Sequence, residues 1–210
     1  MSTLATVDPT SAKAPILTQG NISPAIMVDF ENAALDFFVL KSIPADKQVT
    51  MIIPGIKDLH IHDWITAERA HIITLPFADF MAEMRTNYLP PDWEDQVRNE
   101  ILTSTLTASK TSFWNWSQNL LKLNCLLWGM SSVFDEPTLC NHLEAHLDDK
   151  LKVKVRHSEA RKDKVFKTWV TAVHLLDEAR AVKTKHQREL IEEMLTQHRS
   201  MRQNTNNNTS

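Results

Sequence analysis

The sequence predicts an all-α protein of two small helical lobes, with eight to nine helices and no substantial sheet. Three observations lead there. Apolar residues recur at spacings of three and four through most of the chain, the period of a helix with one buried face. Only 3 glycines, Gly20, Gly55 and Gly129, occur in 210 residues, far below the roughly 7% of average usage. Barrels, sandwiches and phosphate-cradling loops all use glycine at positive-φ turns, so they are disfavoured. Finally, Leu89-Pro90-Pro91 interrupts the periodicity near the middle and separates the two lobes.

The elements follow in order. Residues 1–22 are small, polar and punctuated by proline, and read as a flexible arm. Ser23-Pro24 opens a helix, since proline suits the first helical position, and Ile26, Phe30, Ala33, Phe37 and Leu40 form its stripe. A short helix from Pro44 to about Ile53 turns Val49, Ile52 and Ile53 inward, and Pro54-Gly55 stops it. A third short piece surrounds Trp64. Thr74 caps the next helix, with Phe77, Phe80, Met81, Met84 and Tyr88 on one side. Residues 23–91 make the first lobe.

The second lobe spans 92–182. Asp92 opens a helix with Trp93, Val97 and Ile101 inward, and Asp95 is placed to return the capping bond. A Ser/Thr-rich loop over 103–111 leads to Ser112, the cap of a helix carrying Trp116, Leu120, Leu123 and Leu127 and closed by Gly129. Asp135 and Pro137 open another, with Leu139, Leu143 and Leu147 in register. Residues 150–156 alternate strictly in polarity; without a partner strand they read as a helix or an extended link. Phe166, Trp169, Val173 and Leu176 begin a long amphipathic helix that extends toward Leu190 and Met194. Residues 183–210 are a basic helical extension with a disordered polar tail; their apolar residues are too few to establish a coiled coil.

Charge is divided along the chain. Residues 1–149 carry 9 Lys+Arg against 19 Asp+Glu, while 150–210 carry 14 against 7. An acidic body with a basic end implies a polyanionic partner; a solvated helix face accounts for the same charges equally well. The candidate nucleic-acid contacts are Lys150, Lys152, Lys154, Arg156, Arg161, Lys162 and Lys164. With Phe166 and Trp169 turned inward, such binding would follow the phosphate backbone without base preference.

Nucleotide-binding glycine motifs, hydrolase elbows and zinc-protease motifs are all missing from the sequence. Cys125 and Cys140 are too few for a disulfide framework or a four-cysteine zinc site. His60, His62 and Asp63 read as surface residues sooner than as a metal fragment. His142 and His146 share a helical face, but Cys140 sits about 160° away from His142 and belongs with the core. No catalytic residue, metal ligand, cofactor or small-molecule substrate is assigned, and the chain is read as a non-enzyme. No apolar run approaches the ~20 residues of a membrane span, and the N-terminus lacks a secretion-signal layout. A cytoplasmic, reduced protein without a membrane partner is expected.

Trp114 and Trp116 lie two apart, about 200° on a helix, so both cannot face one core. One should be exposed or in an interface, and the pair is the candidate association surface.

The order of signals is informative as a whole. Phe30 to Phe38 leads to Asp46-Lys47-Gln48-Val49, Trp64-Ile65 and the run Phe77 to Arg85. Tyr88-Leu89-Pro90-Pro91-Asp92-Trp93-Glu94 follows, then Ser112-Phe113-Trp114-Asn115-Trp116, Asn119-Leu120, Asn124, Leu139 to Leu151, and Lys167 to Arg180. Over about residues 24–182 this resembles the capsid region of Gag polyproteins from gypsy-type LTR retrotransposons, in particular fungal forms. The resemblance implies a two-lobed helical capsid protein that associates with itself into capsid-like particles; RNA as a further partner rests on the basic C-terminal segment and is not carried over from the resemblance. On it, the helix of Phe77, Phe80 and Met84 closes the first lobe, Asp92 opens the second, and Ser104 to Trp116 is the turn-and-helix region. The glutamine usual before that turn is replaced around Ser104-Thr105, and no zinc knuckle or protease or polymerase motif is present. A separate Gag, a truncated element or a domesticated copy is therefore implied. The alternative is a domesticated, Gag-derived adaptor that binds a partner peptide without assembling.

Overall fold

The computed structural model describes residues 4–8, 13–107, 111–162 and 165–207, with backbone only for Arg161 and 198–207. Among the described residues the fold is all-α: ten α-helices, three short 3-10 segments and one two-stranded ribbon. It divides into two compact units, residues 1–97 and 98–210. The boundary falls inside a helix, several residues beyond the Pro90-Pro91 seam at which the sequence reading divided the lobes.

In the first unit the ribbon pairs β1 (Val7–Asp8) with β2 (Ile16–Leu17) in antiparallel register. It corrects the reading of 1–22 as a flexible arm. Ala5, Leu17 and Ile22 are buried, Leu17 bridges to Ile56, and the Lys57 N–H donates to the Leu17 carbonyl at 2.8 Å. Gly55 makes this close docking possible. A Cβ there would sit 2.1 Å from the Pro15 carbonyl oxygen, well inside van der Waals contact. The strap is short and polar, so its ordering comes from tertiary docking that no local periodicity announces.

Ser23 caps α1 (Pro24–Lys41) through a bond from the Ile26 N–H, with Pro24 in the first turn as expected. The buried face is Met27, Phe30, Ala34, Phe37 and Phe38, and Leu40 lies exposed. The predicted stripe is therefore rotated, because α1 is apolar on more than one side and period alone does not choose between them. A 3-10 turn over Ala45–Lys47, then α2 (Gln48–Ile52) and a second turn over Ile53–Gly55, buries Val49, Ile52 and Ile53. Asp58 caps α3 (Leu59–Ala67), accepting from the His60 and Ile61 N–H groups. The one-turn α4 (Arg69–Ile72) follows, and α5 (Phe77–Tyr88) buries Phe77, Phe80, Met81 and Met84. Pro76, not Thr74, stands at the start of α5.

The division lies within α6 (Trp93–Thr103), whose Trp93, Val97 and Ile101 are buried. The second unit continues with α7 (Phe113–Leu126), α8 (Glu136–Ala145), α9 (Asp149–Arg156), a 3-10 turn over Glu159–Lys162 and α10 (Phe166–Asn207). Ser112, Asp135 and Asp148 cap α7, α8 and α9. The alternating run at 150–156 is thus a helix: Leu151 and Val155, four apart, are buried, while Val153 is exposed. The core of the unit joins Phe113, Leu120, Leu139, Leu143, Leu151, Trp169 and Val173. Phe113 meets Trp169 edge-on with ring centroids 5.9 Å apart.

Candidate functional site

The second unit carries an open apolar groove of about 720 Å³. Its first wall is a secondary stripe on α7. The core face of that helix is Phe113, Trp116, Leu120 and Asn124, whereas Trp114, Gln118, Leu121 and Cys125 recur at i, i+4, i+7 and i+11 on another side and line the groove. The loop after α7 supplies Trp128, Val133 and Phe134, α8 supplies Leu139, and the start of α10 supplies Phe166 and Val170. Asp135, Glu136 and Lys167 are its charged members.

Polar bonds hold this wall in place. The Asn124 side chain is buried and pairs with Phe134 twice, donating to its carbonyl and accepting from its N–H, each at 2.9 Å. Arg98 donates to the Ser132 carbonyl at 2.6 Å and lays its guanidinium 4.6 Å from the Phe134 ring centroid. Gly129, with φ of +80°, turns the chain at Trp128. The Glu136 carboxylate accepts the Phe166 N–H at 2.9 Å, which joins the starts of α8 and α10. Asp135 accepts from Thr138, and hydrogen bonds from that residue hold its carboxyl below the usual range. The loop is anchored, yet Trp128 on it remains 80% exposed.

The predicted aromatic pair separates across α7. Trp116 is buried, and its Nε1 donates to the Ser104 hydroxyl at 2.7 Å, so it is a core residue and not part of an association surface. Trp114 is 40% exposed, lines the groove and rests its ring 5.1 Å from that of His174. The side expected of one tryptophan is thus occupied by Trp114 together with Trp128. The groove was not read from the sequence; the second apolar stripe of α7 was the signal that could have found it.

The candidate nucleic-acid residues do not form one patch. Steps of two on a helix turn about 200°, so Lys150 and Lys154 fall on one side of α9 and Lys152 and Arg156 on the other. Lys152 donates to the Ala145 carbonyl at 2.6 Å and Lys162 pairs with Glu159 at 2.7 Å. The Arg161 side chain and Lys164 lie outside the described residues. Lys150 instead meets residues from α10: with Arg180, Thr184, Lys185 and Arg188 it lines a second groove of about 650 Å³, together with Asp148 and Asp149. Within it Arg180 is bound by Asp148 and Asp177. Burial alone would lower the guanidinium pKa, but the two carboxylates prevail and raise it.

The two histidine pairs are arranged differently. His60 and His62, two apart on α3, are exposed and diverge. His142 and His146 do come together, with ring centroids 4.2 Å apart, and Cys140 is buried in the core. Burial, then the neighbouring His146, pushes the His142 pKa down, and the Ile101 carbonyl offsets part of this. Among the described residues there is no group of three or more His, Cys, Asp or Glu side chains placed to hold a metal ion. No described helix is long and apolar enough to cross a membrane. No protein-family model, no curated protein and no solved structure matches this chain.

Proposed function

We propose that this chain is a structural protein of the Gag capsid kind, which works by associating with copies of itself and performs no chemistry of its own. The observation that carries this reading is the apolar groove of the second unit, left open with Trp128 almost fully exposed although the core beneath it is closed. Contiguous exposed apolar surface with an aromatic anchor is what a binding face needs and what an isolated domain avoids. The sequence resemblance to retrotransposon capsid regions supplies the kind of partner, a further copy of the chain. An all-α chain in two separately cored units is compatible with that role. Symmetric use of such faces closes dimers, and head-to-tail use gives rings and shells.

RNA is the second partner in this reading. Its contact surface is the groove lined by Lys150 and Lys185 more than the run 150–164 taken together, since the basic residues of α9 fall on two sides of that helix. Binding there would be to phosphates and would weaken steeply with salt.

Light scattering of the purified chain over a hundredfold concentration range tests the reading. A mass that climbs through multiples of 24.0 kDa supports it. A mass of one copy throughout, in low and high salt, refutes it and leaves the adaptor alternative, in which the chain takes a peptide from another protein.

A further inference from the structure

Among the described residues of its own unit, none covers the outer half of α10. Every residue from Ala181 to Gln197 is exposed, including Leu190, Ile191, Met194 and Leu195, which are 45%, 56%, 66% and 52% exposed. At ~100° per residue these four occupy an arc of roughly 140° on one side of the helix. Arg188 flanks one edge of the arc and Glu193 the other. A helix in water draws most of its stability from packing an apolar face, so a stripe of this kind is half of an interface.

The same unit holds the other half. We propose that the groove walled by Trp114 and Trp128 receives the Leu190–Leu195 stripe of α10 from a second copy of this chain. This rests on the self-association reading and names its surfaces.

Reach decides that the occupant comes from another copy. Val170, on the groove wall, and Leu190 belong to one continuous helix. At 1.5 Å per residue they lie about 30 Å apart, so a chain cannot fill its own groove without breaking α10. Size is compatible: the four side chains bring about sixteen heavy atoms, and 720 Å³ holds roughly two dozen water-sized groups of ~30 Å³. Charge is complementary as well. The groove offers Asp135 and Glu136 to Arg188, and Lys167 to Glu193. Reciprocal exchange of helices between two copies closes a dimer, while one-way donation propagates a chain of copies.

Cys125 provides the test, because it is exposed and lines the groove whereas Cys140 is buried. Leu190→Cys, Ile191→Cys, Met194→Cys and Leu195→Cys are made singly in the full chain, with and without Cys125→Ser, and mildly oxidised. Covalent species are read on non-reducing gels and by intact mass. At least one of the four is expected to give a two-copy product that falls about tenfold or more when Cys125 is replaced. Equal yield without Cys125 means that α10 pairs with α10, and overturns the proposal. So does the absence of product from all four while the unaltered chain still associates by light scattering. An unaltered chain that stays single-copy instead removes the self-association reading itself, which keeps the two failures distinct.

Discussion

Asp177→Ala should loosen the second unit at the root of α10. Asp177 is only 8% exposed and uses both carboxylate oxygens. One accepts the Phe113 N–H at 3.1 Å, a donor of the first turn of α7, and the other accepts Arg180 Nη2 at 2.5 Å. Arg180 also donates to Asp148, which caps α9 through the Leu151 N–H at 3.3 Å. Three helices are thus joined through two carboxylates, Asp177 and Asp148, and one guanidinium. Truncation removes two charge-assisted bonds, each worth ~1.5–3 kcal/mol. Water reaches Arg180, whose side chain keeps 17% exposure, and Asp148 continues to compensate its charge, so the lower part of that range applies. The expected loss is about 3 kcal/mol, on the order of a hundredfold in the unfolded fraction. Asp177→Asn, which keeps an acceptor for Phe113 but not the charge, should lose about half as much. Urea unfolding, with amide exchange in α7 and α10 resolved by mass spectrometry, measures it. A loss below ~1 kcal/mol for Asp177→Ala, or no difference between the two variants, would show that these bonds do not hold the three helices together.

Three further outcomes follow from the geometry. Gly55→Ala pushes a methyl group into the Pro15 carbonyl, so the strap of residues 13–18 should detach and limited proteolysis should cleave within it, leaving α1 intact. The His142 pKa lies below its unfolded value of ~6.5, so the folded state binds fewer protons. The stability this confers is present above pH ~6.5 and is lost as pH falls from there toward the folded pKa; the urea midpoint of the second unit should drop between pH 7.5 and 5, and His142→Gln should flatten the slope. Replacing Lys150 and Lys185 together by glutamate should weaken retention on single-stranded RNA at least tenfold at low salt and make its salt dependence shallower; unchanged retention would assign both residues to a solvated face.

Much of the fold was legible because helices announce themselves locally. Ser23, Ser112 and Asp135 cap the helices they were expected to cap, and the stripes of α5 and α8 point inward as their spacing predicts. What was not legible depends on neighbours distant in the chain. Strict alternation at 150–156 suggests a strand, but Asp148 starts a helix and the core accepts only Leu151 and Val155. Nothing in the composition of residues 1–22 reveals that Gly55 leaves room for Pro15 and that Leu17 pairs with Ile56. For the site, spacing dictated that Trp114 and Trp116 must diverge, and the stripe shared with Leu120 and Leu127 sets Trp116 inward. Ser104 gives its indole N–H a partner there. Trp128 lies between the end of α7 and Gly129, where no periodicity applies, and its exposure is visible only in three dimensions.

The groove between α7, α8 and α10 is proposed as an adhesive face between copies. Sedimentation equilibrium of the unaltered chain beside Trp128→Ser tests it most directly, since this side chain is 80% exposed and its loss should spare folding. The unaltered chain is expected to self-associate, and Trp128→Ser to weaken this association at least tenfold with unchanged helical content. Equal association constants for the two proteins, or two proteins that both sediment as single copies at every concentration, would contradict it.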